Sequence, residues 1–116
     1  MDGTIHEFLV GTELSAVCFV RDYIEFHFDG PILRALSNPT CSMVDVVYQY
    51  PERGSRDALC ELIGLEVREV KVLQSQYIQC MLGNGYMLSI PLTQPNPFSG
   101  ESAHFILGEH KPIAVW

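Results

Sequence analysis

Charge is scarce in this chain, and positive charge scarcest. Of 116 residues 18% are charged, and seven bases stand against fourteen acids. Typical domains carry about 25% charged residues. A net charge of −7 excludes the broad basic patch that a phosphate backbone requires, so nucleic acid is not an expected partner. No apolar run approaches the ~18 residues of a membrane helix. Residues 1–9 carry neither the basic region nor the apolar one of a secretory leader. The expectation is a cytoplasmic protein with reduced thiols and no membrane contact.

Motifs that would carry chemistry are missing as well. Cys18, Cys41, Cys60 and Cys80 lie 19 to 23 residues apart, so no C-x-x-C pair signals zinc or redox exchange. No His-x-His or His-x-x-x-His spacing links His6, His27, His104 and His110. Gly83-Asn84-Gly85 lies between two apolar stretches and opens no helix, the wrong setting for a phosphate loop. Gly-x-Ser-x-Gly is absent. No metal, no cofactor and no catalytic constellation is expected.

What is present is one motif written twice. Gly11-Thr-Glu-Leu-Ser-Ala-Val, then Tyr23-Ile24, then Asp29-Gly30-Pro31-Ile32-Leu33 aligns with Gly64-Leu-Glu-Val-Arg-Glu-Val, Tyr77-Ile78 and Asn84-Gly85-Tyr86-Met87-Leu88. One residue is inserted before the tyrosine. Self-similarity at a period near 50 residues governs architecture. Each copy alone would be marginal, so the two are expected to share one core within a single domain, residues 1–116. The copies run over about 8–50 and 61–116.

Within each copy the periodicity is that of strands. Residues 23–28 put Ile24, Phe26 and Phe28 on one side and Tyr23, Glu25 and His27 on the other. Residues 13–20, 32–36 and 43–50 read as further strands, the last one continuous. Pro31 directly after Asp29-Gly30 argues against a two-residue hairpin turn. The second copy supplies strands at 66–73, 77–82, 86–92, 101–107 and 112–116, with Asn84-Gly85 a strong hairpin signal. One short helix is expected between the copies, with Ser55 as N-cap, an apolar face of Ala58, Leu59, Leu62 and Ile63, and Gly64 as its stop. Residues 2–10 read as a lead-in with one helical turn around Ile5 to Leu9. The fold class is therefore α+β, predominantly antiparallel β: two related β-meanders around one core.

Three stretches, 62–70 (Leu-Ile-Gly-x-x-Val-x-x-Val), Asn84-Gly85 with Leu88, and Ala114-Val115-Trp116, resemble a bacterial family of duplicated β-meander domains. Leu9-Val10-Gly11, Val17 and Asp29-Gly30-Pro31 are weaker counterparts. The resemblance implies the duplicated fold and carries over no established activity. His104 stands where that family usually carries an aromatic. Similar small acidic bacterial proteins include immunity proteins.

The face left over after core assignment is the candidate surface. Tyr23, Glu25 and His27 map onto Tyr77, Gln79 and Met81, and Glu66 and Glu69 add acids beside the second set. Tyrosine gives contact area at small entropic cost. The expected function is a non-catalytic protein-binding module, immunity-type or regulatory, meeting a basic partner through Tyr23, Glu25, His27, Glu66, Glu69, Tyr77 and Gln79. The alternatives are a small-ligand carrier with a pocket between the repeats and an enzyme using Glu25 and His27 as acid and base. The low charge also predicts a homo-oligomer. Cys80, Cys18 and Cys60 are expected to be structural, and Cys41 to be the exposed thiol.

Overall fold

The computed structural model describes residues 2–108 and 112–116; Glu109, His110 and Lys111, between the strands expected at 101–107 and 112–116, lie outside the described residues. The elements run α1 (Asp2–Leu9), β1 (Ala16–Val20), β2 (Tyr23–His27), β3 (Pro31–Ala35), β4 (Thr40–Ser42), β5 (Val47–Gln49), α2 (Ser55–Cys60), β6 (Val67–Leu73), β7 (Tyr77–Leu82), β8 (Met87–Pro91), β9 (Ala103–Leu107) and β10 (Pro112–Val115). The strands form two five-stranded sheets, ordered β1-β2-β3-β9-β10 and β5-β4-β8-β7-β6. The chain is mostly antiparallel β, as the alternation predicts, with two short helices where one was expected.

Each sheet combines a meander from one half of the chain with a hairpin from the other. Hairpin β9-β10 extends β1-β2-β3, with Leu33 opposite Phe105 and Arg34 opposite His104. Hairpin β4-β5 extends β6-β7-β8, with Cys41 opposite Leu88. Between the sheets, residues 12–14 run antiparallel to 65–67. Gly11 N–H donates to the Val67 carbonyl (2.9 Å) and Gly64 N–H to that of Leu14 (2.7 Å). Leu14 N–H donates to Leu65 (3.1 Å) and Val67 N–H to Thr12 (2.8 Å), around a bridge of Glu13 with Glu66. Gly11 and Gly64 take φ of +91° and +93° to make this seam, a region open to glycine at little cost.

The period-two apolar positions converge on one core. Ile24, Phe26 and Phe28 from one meander, and Ile78, Cys80 and Leu82 from the other, belong to the same buried cluster as Leu33, Leu88 and Phe105. Ile5 and Leu9 of α1 and Leu59 and Leu62 of and after α2 close it. Truncating one such side chain, as in Phe26→Ala, costs about 3–5 kcal/mol. A domain's whole stability is only about 5–15 kcal/mol.

Several local expectations are corrected. The lead-in is a helix, α1, because Ile5 and Leu9 (both fully buried) sit one turn apart on a single face. Residues 43–50 do not form one strand. They fold back at Met43, whose N–H reaches the Val46 carbonyl (2.8 Å), leaving β4 and β5 as a hairpin. Asp29-Gly30 does make a tight two-residue turn, with Phe28 N–H donating to the Pro31 carbonyl (2.9 Å). Proline removes only the return bond of such a turn, and Asp29 and Gly30 both take positive φ. Gly54, not Ser55, occupies the N-cap of α2, and Ser55 is its buried first residue. Ile63 is 43% exposed, off the apolar face. Cys41 is fully buried and Cys60 exposed, the reverse of expectation, because β4 crosses to the opposite sheet while Cys60 ends α2 facing outward.

Candidate functional site

Alternation in β2 sends Ile24 and Phe26 inward and leaves Tyr23, Glu25 and His27 half-buried on the outer face. Register then sets their neighbours. Cys18, Glu25, Arg34, His104 and Val115 form one row across five strands. Arg34 donates from Nε (3.0 Å) and Nη2 (2.8 Å) to Glu25 Oε2, and His27 Nε2 lies 3.1 Å from Oε1. The Arg34 guanidinium also stacks on Tyr23, 4.7 Å from the ring centre.

Beyond Arg34 the chain of contacts continues to His104. Arg34 Nη1 is 3.4 Å from His104 Nδ1, and His104 Nε2 is 2.8 Å from Glu101 Oε1. Guanidinium has no acceptor, so Nδ1 must accept and Nε2 carries the proton toward Glu101. Burial pushes the Glu25 carboxyl up. The hydrogen bonds and charges of Arg34 and His27 outweigh that and hold it below its ordinary 4.5. A carboxylate held ionised, with both oxygens occupied, is a poor general base and a good anchor for the groups around it.

The equivalent row on the other sheet reads Lys71, Gln79, Ser89, Thr40 and Gln49. Glu69 and Gln79 border a depression of about 100 Å3 there, and Tyr77 lies two positions along β7. Glu66 sits at the seam, 3.8 Å from Arg68 in an exposed pair that adds little stability. The structure thus brings Tyr23, Glu25 and His27 together and places Glu69, Tyr77 and Gln79 on the outer face of the other sheet. Glu66 joins neither set. Among the described residues no group of three or more His, Cys, Asp or Glu is placed to hold a metal ion.

A recess of about 280 Å3 opens at the Tyr23 end of the polar row. The β1–β2 turn (Arg21, Asp22), the end of β3 and residues 94–98 meet there, with Tyr50 in the wall. A shallower depression of about 440 Å3 adjoins it and shares Arg21, Asp22, Leu36, Asn96 and Phe98. Tyr50 is held between Phe19 (ring centres 6.0 Å, nearly parallel) and Arg56 (4.9 Å above the ring, Nη2 to Oη 3.3 Å). The rim is a fixed turn. Asn96 Oδ1 accepts from the N–H of Phe98 (2.8 Å) and of Ser99 (3.4 Å), and Gly100 N–H donates to the Asn96 carbonyl (2.8 Å). Phe98 stands on that turn 94% exposed.

Tyr23, Glu25 and His27 of this surface were named from the sequence; Arg34, His104, Tyr50 and Phe98, which the structure places beside them, were not. Arg34 had a signal, since it interrupts the apolar run of β3 on the outward phase. Compared with protein-family models, curated proteins and solved structures, the chain matches none. The function must be argued from the surface itself.

Proposed function

We propose that the chain is a non-catalytic protein-binding module that meets its partner through Phe98 and the adjoining recess. The observation that carries this reading is Phe98 itself. Leaving a phenylalanine in water forfeits the roughly 1.5–3 kcal/mol that its burial gives. Here the Asn96 turn holds it outward. An exposed aromatic on a hydrogen-bonded turn, beside a recess bordered by Tyr23, Tyr50 and Arg21, brings together the residue types enriched in interface anchors. The contact surface therefore keeps Tyr23 from the tyrosine-bearing face, whereas Glu25 is neutralised by Arg34 and positions the face. The enzyme reading loses its base for the same reason. A carrier is less well supported, because the recess and the depression beside it lie open on the surface, whereas ligand pockets bury most of what they hold.

The chain also reads as two copies of one unit, a helix followed by five strands, beginning at the helices rather than at residues 8 and 61. An offset of 53 places Gly11 on Gly64 and Leu14 on Val67, and it exchanges the seam hydrogen bonds with one another. The same offset lays α1 on α2, and with ten further residues inserted before β9 the crossed hairpins β4-β5 and β9-β10 change places. Features that the fold requires should recur in both copies. The Glu25–Arg34–His104 row does not recur, and the connection 92–102 is much longer than its counterpart 36–39. Both differences adjoin the recess, which supports placing function there.

Affinity capture with wild type and Phe98→Ala tests the reading. A partner retained by wild type and weakened at least about tenfold by the variant is expected. A partner held equally well by both would overturn it. Phe98 contributes nothing to the core, so the variant folds.

A further inference from the structure

We infer that the recess receives a proline-rich segment of the partner, held in the extended polyproline II conformation; this rests on the protein-binding reading. Ring surface is the first reason. Phe98, with its ring exposed, borders the recess with Tyr23, Pro95 and Pro97, and Tyr50 adds its edge and hydroxyl, its ring being held between Phe19 and Arg56. Grooves lined by aromatic rings take polyproline segments because proline rings pack on them and the ligand is already extended before binding.

Rigidity is the second reason. The two tyrosines are pinned from different elements, Tyr23 by Arg34 at 4.7 Å and Tyr50 by Arg56 at 4.9 Å. A groove whose walls are fixed in advance loses little entropy when a stiff ligand enters.

Hydrogen-bond inventory is the third. Proline offers a carbonyl and no N–H, so a proline-rich segment needs donors and almost no acceptors. The recess supplies the Arg21 guanidinium and the side-chain amides of Asn38 and Gln94. Tyr50 Oη accepts from Arg56, which leaves its own proton to give outward. Asn96 has committed its Oδ1 to the turn, so its side chain faces a ligand with N–H alone. Asp22 at the rim suits a basic residue flanking the prolines on that side.

The test uses fluorescence anisotropy with labelled decaproline, the same peptide carrying arginines at either end, and a Gly-Ser peptide of equal length. Saturable binding of an arginine-flanked proline peptide is expected, with none for Gly-Ser. Tyr50→Leu and Phe98→Ala should each weaken it at least about tenfold. Thermal melts check folding, and the exposed Phe98 keeps the test valid if Tyr50→Leu is unstable. Proline peptides that fail to bind, or that bind both folded variants normally, overturn this inference. If partner capture still depends on Phe98 in that case, the protein-binding reading stands without it. Partner capture indifferent to Phe98 removes both.

Discussion

Arg34 gives two hydrogen bonds to one oxygen of Glu25, at 3.0 and 2.8 Å, and leaves the other oxygen to His27. The pair lies directly opposite across β2 and β3, with side chains only 15% and 25% exposed. Cross-strand partners at that distance stabilise the sheet locally, and a charge-assisted pair is stronger than a neutral one.

Glu25→Gln is therefore expected to lower stability by about 1–2 kcal/mol at neutral pH. The pH dependence has a definite sign. Because the folded-state pKa lies below the ordinary 4.5, the pair stabilises fully above that value. Its contribution fades as pH falls below 4.5 through the folded pKa. Urea unfolding at a series of pH values should show wild type and variant converging in acid. Parallel curves would mean that Glu25 is not held by Arg34.

The seam makes a paired prediction. Gly11 and Gly64 have φ of +91° and +93°, and a Cβ at either would meet no atom within 4 Å. The cost of alanine there is conformational alone, about 1–2 kcal/mol at each position. If the two halves are copies of one unit, Gly11→Ala and Gly64→Ala should destabilise equally in chemical unfolding. A difference above about 1 kcal/mol would show that the two positions are not equivalent.

What the sequence made legible is what local periodicity controls. The alternation of Tyr23-Ile24-Glu25-Phe26-His27 and the Asn84-Gly85 signal each specify a strand or a turn from neighbouring residues. The fold at Met43 was hidden because the run Met43-Val44-Asp45-Val46-Val47 contains no glycine or proline, and β-branched residues read as one strand. Of α1 only the turn around Ile5 to Leu9 was legible, because the helix draws its stability from burying those two side chains, a tertiary effect. The polar row was half visible: Glu25 and His27 share a phase within β2, but His104 reaches Arg34 from 70 residues away, through a hairpin donated by the other half. Phe98 read as ordinary loop sequence, since nothing local distinguishes an exposed phenylalanine from a buried one.

The same long-range crossing decides thiol chemistry. Cys41 sits on β4 against β8, its Sγ 3.8 Å from the Ala58 carbonyl, and burial, then the charge of Glu61, pushes its pKa up to about 11. Burial alone pushes Cys80 up to about 12. Thiolate is the reactive form, so both are protected twice, by the absence of access and by the retained proton. Cys60 is exposed and Cys18 half-buried on the outer face. Maleimide labelling at mildly alkaline pH, followed by intact and peptide mass, should modify Cys60 first and Cys18 more slowly. Cys41 and Cys80 should react only when denaturant unfolds the chain. Labelling of Cys41 as fast as Cys60 in native buffer would mean that the β4-β5 hairpin leaves its sheet far more readily than its pairing with β8 implies.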